Sequence, residues 1–208
     1  FGEIVQHPTV RSRGGTQILE LDSHQGGRAN SWHTDVTFEL AYPKISILRT
    51  VELPERGGDT VWANTVAAYQ EFPAAMRQFL DTLWAVHGND FDYAATRVEL
   101  DDEGAKKYRQ LYAARVVKTE HPLVRVHPVT GRKHLYLSES FTTHILGIEA
   151  EESQRVLDFL FRHVAKPEYQ CRFAWRPGSM AFWDNRAALH YAVADYWPEK
   201  RLMERVTV

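Results

Sequence analysis

Apolar residues along the chain gather in short runs bounded by turn residues, the spacing of a protein built mostly from strands. Such runs occupy Ile45–Val51, Thr60–Ala63, Leu83–Val86, Leu123–His127, His134–Leu137, Cys171–Trp175, Ser179–Trp183 and Leu202–Val208, and each predicts a strand. Two segments carry helical spacing instead. One is Thr65–Leu83 behind Asn64 as a cap; the other is Glu151–Val164, with Val156, Leu157, Leu160, Phe161 and Val164 on one face. Pro128-Val129-Thr130-Gly131 predicts a hairpin turn, and Arg176-Pro177-Gly178 punctuates the next pair of strands in the same way. Many short strands with a few helices predict a mainly β fold, a sandwich or barrel with helices packed outside.

No repeat, low-complexity run or linker divides the sequence, so one domain over residues 1–208 is expected. With 25 Lys+Arg against 27 Asp+Glu the charge is nearly balanced, which removes the electrostatic footprint of a nucleic-acid or membrane-surface binder and leaves a small molecule as the expected partner. No run approaches the ~18 consecutive apolar residues of a membrane span, and no basic-then-apolar signal pattern opens the sequence. It begins with Phe1 rather than Met and so reads as part of a longer chain. The single cysteine, Cys171, lies in an apolar aromatic run; it predicts a small buried hydrophobe and a reducing, cytoplasmic compartment.

The segment Trp32-His33-Thr34-Asp35-Val36-Thr37-Phe38 changes this general picture. On a strand, residues two apart share a face, so His33 and Asp35 would converge on one ion. His190, in the polar cluster after the run Ser179–Trp183, is the candidate third ligand. Two imidazoles and a carboxylate leave open positions suited to an iron(II) oxygenase. The same set also serves zinc hydrolysis, for which Asp184 or Glu139 would be the general base. A jelly-roll protein that only binds anions is the third reading. Arg201 and Arg205 are four apart on a predicted strand and share a face with Met203. They read either as an exposed strand face or as two clamps for anions in a barrel mouth.

Together these motifs resemble the family of taurine dioxygenase, alkylsulfatase and chlorophenoxyacetate dioxygenase, which are Fe(II)- and 2-oxoglutarate-dependent oxygenases. The likeness runs from Phe1-Gly2-Glu3 and His7-Pro8 through Trp32–Phe38 and Gly57-Gly58-Asp59-Thr60 to Phe141-Thr142-Thr143, Phe182-Trp183-Asp184-Asn185-Arg186 and His190–Arg205. It implies a double-stranded β-helix, or jelly roll, in a chain that lacks the family's N-terminal portion and extreme C-terminus. It implies His33, Asp35 and His190 as iron ligands, with Thr60 and Arg201 holding the far carboxylate of 2-oxoglutarate, and O2 as the second cosubstrate. Arg205 and His7 would face the anionic head of the substrate, while Phe141 and Tyr93 line its pocket and Trp183 packs beside the iron.

Val10 and Ala29 stand where the taurine-specific pattern has polar residues, so an alkyl sulfate or alkyl sulfonate is expected ahead of taurine. A dimer or tetramer is expected on the same resemblance. No role is expected for His24, His87, His121, His127, His134, His144 or His163, which read as surface or satisfied core residues. The acidic run Glu99–Glu103 reads as a solvated helix start beside a possible lid.

Overall fold

The computed structural model describes residues 1–10, 16–25, 29–90 and 115–208. Its strands are β1 (Leu19–Asp22), β2 (Ile45–Glu52), β3 (Thr60–Asn64), β4 (Trp84–Gly88), β5 (Lys118–Pro122), β6 (Val124–Val126), β7 (Lys133–Leu135), β8 (Thr142–Ile145), β9 (Gln170–Phe173), β10 (Met180–Asp184), β11 (Ala188–Ala192) and β12 (Leu202–Thr207). The helices are α1 (Thr65–Gln70), α2 (Ala74–Leu80) and α3 (Ala150–Val164). The fold is mainly β with flanking helices, as the strand spacing predicts. One sheet runs β1-β12-β2-β10, a second β11-β3-β9 and a third β5-β4-β8, with β6 and β7 paired separately. The pairings of the two sheets that build the cavity are all antiparallel.

The first sheet shows how alternation sorts side chains. In β12, Met203, Arg205 and Thr207 are buried while Leu202, Glu204 and Val206 are half-buried. Opposite them in β2, Ser46 and Leu48 point inward. The apolar core lies elsewhere, beneath α3. There Leu157, Leu160, Phe161 and Val164 pack against Leu80, Leu123, Leu135, Leu137 and Ile145. A capping box of Glu149 and Glu152 starts α3. Asn64 starts α1, its side-chain oxygen accepting from the Val66 and Ala67 N–H groups at 3.0 Å each.

Three expectations are corrected. The helix over Thr65–Leu83 is two helices, because Pro73 has no N–H to continue the ladder and disfavours helical backbone at Phe72. The strand over Leu123–His127 is present as β6; β5, which the spacing does not predict, precedes it, and the break falls at the buried Leu123. Arg176-Pro177-Gly178 does not close a hairpin but carries the chain from β9 in the second sheet to β10 in the first. Cys171 is exposed, because β9 is an edge strand with three of its four residues facing outward. The acidic run Glu99–Glu103 and the proposed lid lie outside the described residues. No described helix is long and apolar enough to cross a membrane.

Candidate metal centre

His33 and His190 form an isolated antiparallel bridge. The His33 N–H donates to the His190 carbonyl at 3.0 Å and the His190 N–H to the His33 carbonyl at 2.8 Å. Two short pieces of chain distant in sequence thus place their rings with centroids 4.0 Å apart. His33 and Asp35 do not sit on a strand, which corrects the basis on which sequence pairs them. After the single bridged residue the chain turns over Asp35–Phe38, with Val36 at φ 59° and the Glu39 N–H donating to the Val36 carbonyl at 3.2 Å. A β-branched residue in the left-handed region costs about 1–3 kcal/mol, so this turn is held by its surroundings rather than by local preference.

Asp35 Oδ1 lies 4.0 Å from His33 Nε2 and 3.7 Å from His190 Nε2, and one donor atom from each residue falls within 4.8 Å of the others. The His33 ring places Nδ1 2.8 Å from the Ser31 carbonyl, so Nδ1 donates there and Nε2 is the nitrogen turned toward Asp35. His190 Nδ1 is buried and makes no hydrogen bond among the described residues. Burial, and after it the neighbouring His33, holds the His190 pKa well below the usual histidine range, which keeps the ring in its ligating neutral form. Burial alone would raise the Asp35 pKa; Arg205, His190, His33 and the Ser46 hydroxyl outweigh it and hold the carboxyl well below the usual range. Two imidazoles and an ionised carboxylate on one face fit iron(II), with the opposite face left to other ligands.

Two residues that sequence reading passed over hold Asp35 in place. The Asn185 side chain accepts from the Asp35 N–H at 3.0 Å and donates to the Asp35 carbonyl at 3.0 Å and the Pro43 carbonyl at 3.1 Å. Ser46 donates to Asp35 Oδ2 at 2.6 Å. The available signal was a serine between the two isoleucines that open β2.

Arg201, Met203 and Arg205 face inward together, which removes the exposed-face reading. Arg201 is 3% exposed and donates from Nε to the Gly58 carbonyl at 3.0 Å and from its terminal nitrogen to Thr60 Oγ1 at 3.3 Å. Both acceptors are neutral, so the buried charge is suited to an incoming anion. Thr60 Oγ1 also accepts from Trp175 Nε1 at 2.9 Å. With both acceptor positions used, its hydroxyl hydrogen remains to donate, and this part of Trp175 was not read from sequence. Gly58, at φ +74°, admits Arg201 closely: a Cβ there would come within 3.0 Å of Arg201 Cδ.

Arg205 contacts Asp35 Oδ1 directly. His7 accepts at Nδ1 from the Val10 N–H at 3.1 Å, which places its own proton on Nε2. Burial, then Arg205, lowers its pKa to about 3, so it is a neutral donor at working pH. His7, Phe141, Thr60, both arginines and the triad line one cavity, with Leu21, Ala29, Val36 and Leu48 supplying apolar wall. Trp183 packs against His190 at 4.9 Å between ring centroids. Tyr93 lies outside the described residues. Asp184 is held by Arg186 and His127 and Glu139 by the Trp32 N–H, and neither is among the described residues lining the cavity, so neither serves a hydrolase as general base.

The family profile described as "Taurine catabolism dioxygenase TauD, TfdA family" matches residues 1–207. The chain belongs to this family. Members of the TauD/TfdA family are iron(II)- and 2-oxoglutarate-dependent dioxygenases, so the chain is an oxidoreductase whose cofactor is Fe(II), with 2-oxoglutarate and O2 as cosubstrates. An alpha-ketoglutarate-dependent sulfate ester dioxygenase of Pseudomonas putida is 50% identical over 209 residues, covering 100% of this chain and 69% of the relative. An alkylsulfatase of Acinetobacter baylyi is 46% identical over 209 residues, covering 100% of this chain and 66% of the relative. The chain therefore spans about two thirds of the length of these relatives. Among solved structures, a taurine dioxygenase from Burkholderia xenovorans aligns with TM-score 0.79 at 37% identity, covering 100% of this chain and 68% of that one. This likeness completes the fold: the sheets belong to a TauD/TfdA jelly roll.

Proposed function

We propose that this chain hydroxylates a small anionic organic substrate, an alkyl sulfate ahead of an alkyl sulfonate, and releases an aldehyde with sulfate or sulfite. The observation that carries this reading is the pair of buried arginines, Arg201 just before β12 and Arg205 within it, both lining the cavity that holds the triad. Two anion seats four residues apart fit a cosubstrate with a carboxylate at its far end and a substrate with an anionic head. His33, Asp35 and His190 would hold the iron. When bound, iron and 2-oxoglutarate supply, with O2, the oxidising equivalents that turn a substrate C–H into C–OH, giving succinate and carbon dioxide.

The residues of the chain do the positioning. Arg201 and Thr60 grip the distal carboxylate, and Gly58 lets the guanidinium approach. Arg205, with the Nε2–H of His7, takes the head group and so presents the adjacent carbon to the metal, which is where proximity acts. Hydroxylation of the carbon bearing the sulfate makes a hydroxyalkyl sulfate, which expels sulfate as its hydroxyl becomes the aldehyde carbonyl. Ala29, Leu21 and Leu48 offer an alkyl chain apolar contact and give an ammonium group no hydrogen-bonding side chain, which supports alkyl sulfate over taurine; Val10 contributes through its N–H to His7 rather than as cavity wall. Names of the relatives from P. putida and A. baylyi support the same substrate class.

A place in sulfur metabolism and a cytoplasmic setting belong to this proposal, the latter supported by the lone cysteine. So does self-association as a dimer or tetramer, supported by Met180 and Phe182 exposed on the outer face of the first sheet. Iron-loaded protein incubated with 2-oxoglutarate, O2 and a panel of alkyl sulfates, alkyl sulfonates, taurine and phenoxyacetates, with succinate as the readout, tests the function. Stimulation by alkyl sulfates above the others is expected; stimulation only by taurine or phenoxyacetate moves the substrate class, and none by any anion removes the reading.

A further inference from the structure

Asp35 has two carboxylate oxygens with different neighbours. Oδ2 accepts the Ser46 hydroxyl at 2.6 Å. Oδ1 is the oxygen near both imidazoles, 4.0 Å from His33 Nε2 and 3.7 Å from His190 Nε2. A metal shared by the three residues would take Oδ1, and that is the atom Arg205 holds. The contact is buried from both sides, with Arg205 7% and Asp35 2% exposed, so water screens it little. A guanidinium and a divalent cation cannot share that oxygen at close range in such a setting, because both are positive and the interior weakens their repulsion far less than water does.

We propose that Arg205 senses metal loading: seated on Asp35 it keeps the substrate's anion seat closed, and a divalent cation on the triad turns it into the cavity. The inference rests on the reading of Arg205 as the head-group residue. Charge supplies the direction. Arg205 and Asp35 cancel each other; adding the cation raises the site by two positive charges and releases a guanidinium whose carboxylate partner is now taken. The loaded cavity therefore attracts anions that the unloaded one does not. Coupling is reciprocal, so an anion that takes Arg205 favours metal binding by the same factor, and typical couplings are about 5- to 150-fold. In this scheme substrate is held only where the metal that can oxidise it is already in place.

The test needs no turnover. Chelator-stripped protein and Mn(II)-loaded protein are titrated with hexyl sulfate by calorimetry without 2-oxoglutarate, and Mn(II) affinity is measured with and without saturating hexyl sulfate. Hexyl sulfate is expected to bind the loaded protein about 5- to 150-fold more tightly, and to raise Mn(II) affinity by the same factor. Equal hexyl sulfate affinity in the two forms overturns the proposal. In Arg205→Gln, Mn(II) is expected to bind more tightly than in the unsubstituted protein, because a competing cation is gone, and its affinity no longer responds to hexyl sulfate. Mn(II) affinity unchanged or weakened there overturns the sensing role. Arg205→Lys, which keeps the charge, is expected to restore part of the competition, and the unsubstituted arm stands even if the glutamine variant fails to fold when stripped. If loaded Arg205→Gln still binds hexyl sulfate normally, the head-group reading itself fails; if it loses hexyl sulfate while Mn(II) affinity is unchanged, only the sensing role fails.

Discussion

The half of the molecule under α3 and the cavity between the first two sheets are both buried, yet they are built from opposite materials. Beneath the helix, Leu80, Leu123, Leu157 and Leu160 are fully buried among other apolar side chains. In the cavity region the buried residues include His33, Asp35, Ser46, Thr60, Asn185, His190, Arg201 and Arg205, and among the described residues the accompanying cluster of buried apolar side chains is Leu48, Trp183 and Met203. Burial of apolar surface favours folding, whereas a buried charge costs free energy unless it is matched. The helix-covered half therefore carries stability, and the cavity spends part of it on holding polar groups where ligands need them.

Substitutions can break that division. His33→Ala is expected to abolish activity, a loss beyond the roughly 10–100-fold typical of removing a partner of a metal ligand, while thermal melting of chelated protein shifts less than for the core variant that follows. Leu157→Ala should cost about 2–5 kcal/mol and lower Tm by roughly 5–15 °C, with kcat at permissive temperature unchanged. A large kcat effect from Leu157 or a collapse of Tm from His33 would erase the division.

Gly58→Ala tests the border between the two regions. A Cβ 3.0 Å from Arg201 Cδ, on backbone at φ +74°, should raise the KM for 2-oxoglutarate about tenfold and cost about 1 kcal/mol of stability, read by steady-state kinetics and melting. The smallest effect is expected at Asp184. Burial alone would raise its pKa, but hydrogen bonds from Arg186 and His127 bring it down to about 2. A depressed carboxyl contributes stability that is present above its ordinary pKa and lost as pH falls towards the folded value. Asp184→Asn should thus lower Tm by roughly 1–3 °C at pH 7, with the gap narrowing between pH 4 and pH 2 and no change in activity.

Most of this arrangement was legible in the sequence, for identifiable reasons. Strands such as β2, β3 and β12 were visible because their apolar runs end at turn residues, and Arg201, Met203 and Arg205 fell on one face because strand alternation is strict. β11 was missed although it carries His190: Ala188–Ala192 is short and mixes polar with apolar residues, so only its pairing with β3 defines it. His33 and Asp35 do come together, but on a turn rather than a strand, because a left-handed valine after Asp35 is not predictable from local preference. Asn185 and Ser46 went unassigned because their partner, Asp35, is distant in sequence and sequence pattern carries no such contact. The Gly57-Gly58 pair was legible as resemblance alone, and its reason, the approach of Arg201 and Asp195, emerges only in three dimensions.

β12 lies between β1 and β2 rather than at an edge of its sheet, and it brings Arg205 to a carboxylate 170 residues earlier in the chain. During synthesis on the ribosome at about 5–20 residues per second, Asp35 waits roughly 10–30 s for that partner. For most of that interval His33 and Asp35 exist without His190, and throughout it the first sheet lacks an interior strand. A nascent chain thus carries two of the three candidate ligands until β11 has emerged, and the triad cannot assemble before that strand pairs with β3.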